Sequence, residues 1–176
     1  FTFEATDDRI MFGKRNVATA TITVNAVNDA PASSEVSGSS DEDTAIDIAL
    51  SATDVDQDNL TYSIVSDVSN GTTSISGSTL TYTPNQDWNG TDTFTYKVND
   101  GTVDSNTSNG TITIAAVNDV PTTTDISTTI DENRTARMVG ITLQGSDVDG
   151  DDLTYSVVSD ASNGTTSITG AILTYT

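Results

Sequence analysis

Residues 94–101 read Phe-Thr-Tyr-Lys-Val-Asn-Asp-Gly. Apolar side chains stand at Phe94, Tyr96 and Val98, polar ones at Thr95 and Lys97, and Asp100-Gly101 closes the run. Successive side chains of a strand point to opposite faces, so this alternation predicts a strand with one buried face and a turn at its end. The same period of two recurs at Ile46, Ile48, Leu50 and Ala52, at Leu60, Tyr62 and Ile64, at Leu80 and Tyr82, and at Ile112, Ile114 and Ala116. Turn dipeptides separate these runs: Asp58-Asn59, Asn70-Gly71, Ser76-Gly77 and Asn89-Gly90. No segment carries a helical period.

The opening stretch has a twin. Phe1-Thr2-Phe3-Glu4-Ala5-Thr6-Asp7 aligns with Phe94 to Asp100. Val27-Asn28-Asp29-Ala30-Pro31 returns as Val117-Asn118-Asp119-Val120-Pro121, a shift of 90, and Asp41-Glu42-Asp43 returns as Asp131-Glu132-Asn133 at the same shift. Asp54 matches Asp147 at a shift of 93, so the later copy holds three extra residues near 135–140. Asn70 to Ile75 then matches Asn163 to Ile168, and Leu80 to Thr83 matches Leu173 to Thr176. A self-similar unit this long means an array of small domains. We divide the chain into the closing strands of one repeat (1–28), a complete repeat (29–118) and an incomplete following repeat (119–176). About seven short strands per unit predicts an all-β fold, a tandem array of seven-stranded immunoglobulin-like Greek-key β-sandwiches.

Composition narrows the function. The 176 residues hold six Lys and Arg against 26 Asp and Glu, a net charge of −20. Such a chain repels nucleic acid and anionic membrane surfaces and favours cations. With 34% hydrophobic residues the composition leans toward disorder, but the consistent apolar face of each strand outweighs that bias. There is no Cys and no His, so disulfides, thiolate metal sites and histidine triads are excluded. No apolar run approaches the ~20 residues of a membrane helix. The first residue is Phe, which reads as a piece of a longer or processed protein.

The acidic residues are clustered. Asn-Asp at 28–29 and 118–119, Asp-Glu at 41–43 and 131–133, Asp-x-Asp at Asp54/Asp56 and Asp147/Asp149, and Asp100 all fall at strand ends. Strand ends of a sandwich gather at two poles, so carboxylates from both sides of a domain junction converge. Concentrated like charge repels unless a divalent cation neutralises it. The plain alternative is that these Asp and Asn cap turns. Asp147, Asp149 and Asp151 begin like an EF-hand loop, but Asp152 stands where Gly is required and Val158 where Glu is required, so any calcium site must be assembled from distant segments. Paired carboxylates also serve glycoside hydrolysis, yet neither a cleft nor aromatic surface is evident. A Ser-Lys pair would depend on Lys14 or Lys97, and Lys97 sits on the outward face of a strand. We expect no enzyme.

Taken in order, these clusters resemble cadherin repeats: VNDAP, the early Glu of the DED and DEN clusters, the Asp-x-Asp of DVDQD and DVDGD, and the late Val98-Asn99-Asp100-Gly101. The stretch PNQDWNGTDTFTYKVNDGT at 84–102 is similar to the bacterial version, the cadherin-like tandem repeats of large surface adhesins. The resemblance covers nearly the whole chain except Arg9 to Arg15 and Thr135 to Gly140. It implies calcium between successive domains. At the later junction Glu42 and Asp87 would come from the preceding domain, Asn118 and Asp119 from the linker, and Asp147 and Asp149 from the following domain, with Glu132 as the later counterpart of Glu42. At the earlier junction Asn28 and Asp29 would join Asp54, Asp56 and Asp100. The cadherin Asp-Arg-Glu motif is replaced by Asn85-Gln86-Asp87-Trp88.

The function expected from this resemblance is a calcium-stiffened section of an adhesin or extracellular filament on a bacterial surface, supporting adhesion and touching neighbouring repeats of the same or identical chains. Two other readings stay open. One is head-to-tail assembly, in which the closing strands at the start of one chain complete the repeat at the end of another. The other is a module for a glycan or cell-surface ligand, with Trp88 beside Tyr82 or Tyr96 as its platform, although the alternation places both tyrosines in the core. Trp88 reads most simply as a core or edge-capping residue. The basic insertion from Arg9 to Arg15 reads as a variable loop, or as a contact patch for an acidic neighbour together with Arg134 and Arg137.

Overall fold

The computed structural model describes residues 1–6, 15–130 and 139–176. Glu132, Arg134, Arg137 and the basic insertion at 9–14 lie outside the described residues. Among those described, every regular element is a strand.

Strands β1 (Thr2–Thr6) and β2 (Arg15–Thr19) form an antiparallel hairpin. The complete repeat follows as β3 (Ala32–Ser33), β4 (Val36–Asp41), β5 (Ile46–Ala49), β6 (Ala52–Thr53), β7 (Thr61–Ser66), β8 (Gly71–Ser76), β9 (Thr79–Pro84), β10 (Gly90–Asn99) and β11 (Ser108–Ala115). One sheet has the order β4-β11-β10-β7 and the other β5-β9-β8, with β3 and β6 pairing separately. Connections β7 to β8 and β9 to β10 cross between sheets, while β8-β9 and β10-β11 are hairpins. This is an immunoglobulin-like Greek-key sandwich of seven strands, the first two of them split. Strand β4 runs parallel to β11, pairing Val36 with Gly110 through to Asp41 with Ala115.

The apolar run from Ile46 to Ala52 is two strands, not one. It pairs with β9 up to Ala49, and from Ala52 it pairs with β3. Between them Leu50 donates its amide to the Ser78 carbonyl at 2.8 Å and Ser51 accepts from the Ser34 amide at 3.0 Å. The Ser51 amide donates to the Tyr96 hydroxyl at 3.2 Å, so both amides at the change of partner are satisfied.

The core lies between the two sheets. Ile48, Leu50, Leu80, Tyr82, Phe94, Tyr96, Val98, Ile112 and Ile114 are all buried, and Trp88 packs against them from the edge. Gly110 leaves room for the Phe94 ring: a Cβ there would sit 2.1 Å from it. The Tyr96 hydroxyl reaches the carbonyls of Ser34 (2.5 Å) and Ser51 (2.9 Å), tying the β3-β4 and β5-β6 connections to β10. Among the described residues, Asp92 is the one acidic residue buried inside a strand. It accepts the amides of Ser69, Asn70 and Thr93 at 2.7–3.1 Å and the Tyr82 hydroxyl at 3.4 Å, so its charge is compensated as a buried charge must be.

In the following repeat, β12 (Thr122–Thr123) pairs with β14 (Gly145–Ser146), and β13 (Val139–Thr142), β16 (Ile172–Tyr175) and β15 (Thr166–Thr169) form one sheet in that order. Thr154 to Ser159 matches β7 in sequence but forms no strand. Strand β7 is held by β10 alone, and among the described residues the later segment has no such partner.

Candidate metal centre

The acidic loops meet at the two linkers. At the later one, Glu42 from the β4-β5 turn, Asp119 from the linker and Asp149 from the β14-β15 connection bring a carboxylate oxygen each within 4.8 Å of one another. Glu42 is only 6% exposed, and it accepts the Val117 amide at 2.5 Å. Asp119 donates its amide to Oδ2 of Asp149 at 2.7 Å. Both outer carboxylates therefore grip the linker backbone on either side of Asn118. The Oδ2 atom of Asp119 is out of contact with solvent and has no hydrogen-bond partner. Burial raises the proton affinity of this carboxyl, and the charges of Asp87, Asp149, Glu42 and Asp43 raise it further. A buried carboxylate oxygen with no donor, and with two other carboxylates within 4.8 Å of its group, lacks a positive partner.

The earlier linker repeats half of this arrangement. Asp29 donates its amide to Oδ2 of Asp56 at 2.8 Å, the counterpart of the Asp119–Asp149 bond. Asp54, Asp56 and Asp58 bring carboxylate oxygens within 4.8 Å of one another, and Oδ2 of Asp54 is again shielded from solvent and unpartnered. Asn28 donates to Oδ2 of Asp100 at 2.9 Å. Oδ1 of Asp100 accepts the amides of Thr102 and Val103, each at 2.7 Å. The Asn28 side chain first, then these amides, hold the Asp100 carboxyl below the usual carboxylate range.

The other sequence candidates divide. Asp87 is felt by Asp119 but lies outside the close trio. Asp147 accepts the amides of Asp149 (3.0 Å) and Asp151 (3.3 Å), shaping the loop instead of joining the trio. Asn118 turns its amide to the neighbouring Asp119 carbonyl at 2.9 Å. Three acidic positions escaped the sequence reading. Asp58 completes the earlier trio, while Asp67 and its repeat counterpart Asp160 close loops by accepting from Thr73 (2.6 Å) and Thr166 (2.5 Å). Turn capping is therefore real for Asp67, Asp147 and Asp160.

Oxygens within 4.8 Å of one another suit a hard cation whose ligands lie about 2.3–2.6 Å from it, as calcium's do. The donor set is all carboxylate, and the orphaned oxygen supplies the need for positive charge. Glu42, Asp119 and Asp149 would hold an ion across the later junction, and Asp54, Asp56 and Asp58 one beside the earlier linker. No helix among the described residues is long and apolar enough to cross a membrane.

The chain belongs to the bacterial Ig domain family, whose profile matches residues 28–114 and again 118–176. Among solved structures it is similar to an endo-fucoidan hydrolase from glycoside hydrolase family 107, at 19% identity and a TM-score of 0.45, covering 99% of this chain and 29% of that one. It is also similar to surface layer protein SbsC, domains 1-6, at 14% identity and a TM-score of 0.32, covering 92% of this chain and 23% of that one. A second structure of that protein, domains 4-9, gives 17% identity and a TM-score of 0.28, over 92% and 28% of the two chains. The chain thus spans less than a third of each of these structures. No curated protein matches it.

Proposed function

We propose that these bacterial Ig domains form a section of an extracellular stalk or filament of an adhesin on a bacterial surface, in which calcium joins and stiffens successive domains. The observation that carries the reading is the Glu42–Asp119–Asp149 trio. It takes one carboxylate from each domain and one from the linker, and it leaves the Asp119 Oδ2 buried without a partner. Cation-free, the trio repels itself. With an ion bound, the same charges hold two domains to one linker. The section works as a spacer and assigns no catalysis to the chain. The aromatic platform of a glycan-binding alternative is weakened, because Tyr82 and Tyr96 are fully buried.

Sites of this open, extracellular kind bind calcium with a Kd of about 10⁻⁴–10⁻³ M. At ten times Kd each ion adds about 1.4 kcal/mol to the folded state. The test is thermal unfolding of the 176-residue chain in millimolar calcium and in excess chelator. The midpoint is expected to rise with calcium, and Asp119→Asn or Asp149→Asn is expected to remove the part of the rise that belongs to the later junction. Coincident curves in calcium and chelator would reduce the acidic loops to turn caps and remove the stiffening role.

A further inference from the structure

Three non-glycine residues among those described have a left-handed backbone: Asp43 (φ 57°), Gln57 (φ 63°) and Asp87 (φ 54°). All three lie in the acidic loops at the domain poles. Such conformations are held only where surrounding contacts impose them, and they gather at ligand clamps and switch regions. Asp43 and Asp87 come from different turns, β4-β5 and β9-β10, and one hydrogen bond joins them: the Asp87 amide donates to Oδ1 of Asp43 at 3.0 Å. Asp87 occupies the third place of a turn closed by the Trp88 amide on the Asn85 carbonyl at 3.2 Å, where Gly or Asn is the usual choice. The Asp87–Asp43 bond sets the Asp87 turn against the turn that carries Glu42, and the Asp87 carboxylate accepts otherwise from the Gln86 side chain at 3.2 Å. Asp119 Oδ2, buried and unpartnered, points to a ligand at this pole.

We propose that Asp43 is a positioning residue that holds Asp87, through its amide, as the preceding domain's second carboxylate beside Glu42 at the cation site. Asp43 binds no ion itself. Its side chain spans the two turns, so Asp87 stays in its strained conformation and its carboxylate is presented before an ion arrives. This rests on the calcium reading above. It adds a coupling between two turns of the preceding domain, which a site built from independent loops would not have.

The experiment uses the whole chain. Calcium binding is followed by the fluorescence of Trp88, the single tryptophan, which adjoins Asp87. Hydrogen exchange of the Asp87 amide is measured separately, in chelator. Asp43→Asn keeps an acceptor oxygen, so amide protection and calcium affinity are expected to stay within about threefold of the parent. Asp43→Gly removes the acceptor and tolerates the left-handed backbone. Exchange at Asp87 is then expected to speed up, and calcium affinity to fall about tenfold, as for loss of an outer-shell partner, toward that of Asp87→Asn. Equal losses in Asn and Gly would make Asp43 a ligand and overturn the proposal. Lost amide protection with unchanged affinity in Gly would overturn it too. If the parent shows no calcium response while its Asp87 amide stays protected, the cation reading itself fails and takes the proposal with it.

Discussion

Gln57 and Gly150 hold the same place in the Asp-x-Asp loops of successive repeats, and both are left-handed, at φ 63° and 79°. Glycine takes that conformation freely, whereas a side chain there costs about 1–2 kcal/mol, partly offset by the lower entropy of the unfolded non-glycine chain. Gln57→Gly is expected to stabilise the complete repeat by about 0.5–1 kcal/mol, and Gly150→Gln to destabilise its own repeat by a similar amount, read from urea midpoints in chelator. Tyr82 sets a limit on the alkaline side. Burial first, then the charge of Asp92 and the hydrogen bond to it, push its phenol from 10.0 up to about 12. The folded chain holds that proton more tightly than the unfolded chain. Stability from this group is therefore complete below pH 10.0 and is lost as pH climbs through about 12. An ultraviolet titration should show a tyrosine step displaced to about pH 12, and Asp92→Asn should bring it forward. Asp100 has the opposite sign. Its carboxyl is lowered, so its contribution is present above the ordinary Asp range and fades as pH falls through the folded value. Glu42, Asp119 and Asp149 were legible because their clusters recur as units. Asp43 and Asp58 stand in recognised acidic runs, but what each one holds depends on loop conformation, and Gln57 is not a residue that announces a left-handed turn.

At the level of elements, alternation was enough to place β7, β9, β10 and β11, whose inward residues are the apolar ones of the sequence. It could not place the break between β5 and β6, because Ile46 to Ala52 keeps its period through a change of partner. Nor could it separate β7 from Thr154 to Ser159, since a strand exists only where a second backbone accepts its hydrogen bonds. Fit between strands is equally non-local. Gly110 lies inside β11 with the Phe94 ring over it, a contact between two strands that alternation does not signal. Gly110→Ala would force ring or backbone to move, and is expected to cost about 1–3 kcal/mol, as overpacked cores do. A fall in the thermal midpoint, with the calcium-induced shift retained, would place the loss in the sandwich and not at the junction.

Across the whole molecule, the repeat offset and the charge distribution are the features that the amino-acid order displays most openly. The acidic residues lie chiefly in the loops that end the strands, while the outward positions of β10 and β11 carry Thr91, Thr93, Thr95, Asn109, Thr111 and Thr113. Repulsion is thus focused near the linkers, and at the later one carboxylates from neighbouring domains approach within 4.8 Å. Monovalent salt screens such charges over about 10 Å at 0.1 M, but it supplies no ligand-bridging contact. Two domains that shared one ion would be restrained in a way that screening alone does not reproduce.

The parallel pairing of β4 with β11 has a mechanical consequence. Tension along an array enters the complete repeat from the linker at Asn28-Asp29 and leaves it at Asn118-Asp119. After the two-residue β3-β6 contact, it reaches β4 at Val36 and departs from β11 at Ala115, and these are opposite ends of one strip of six paired residues. The load therefore slides the two strands along each other instead of peeling them apart from one end. A pull along the chain would thus load the hydrogen bonds of this strip together and not one after another.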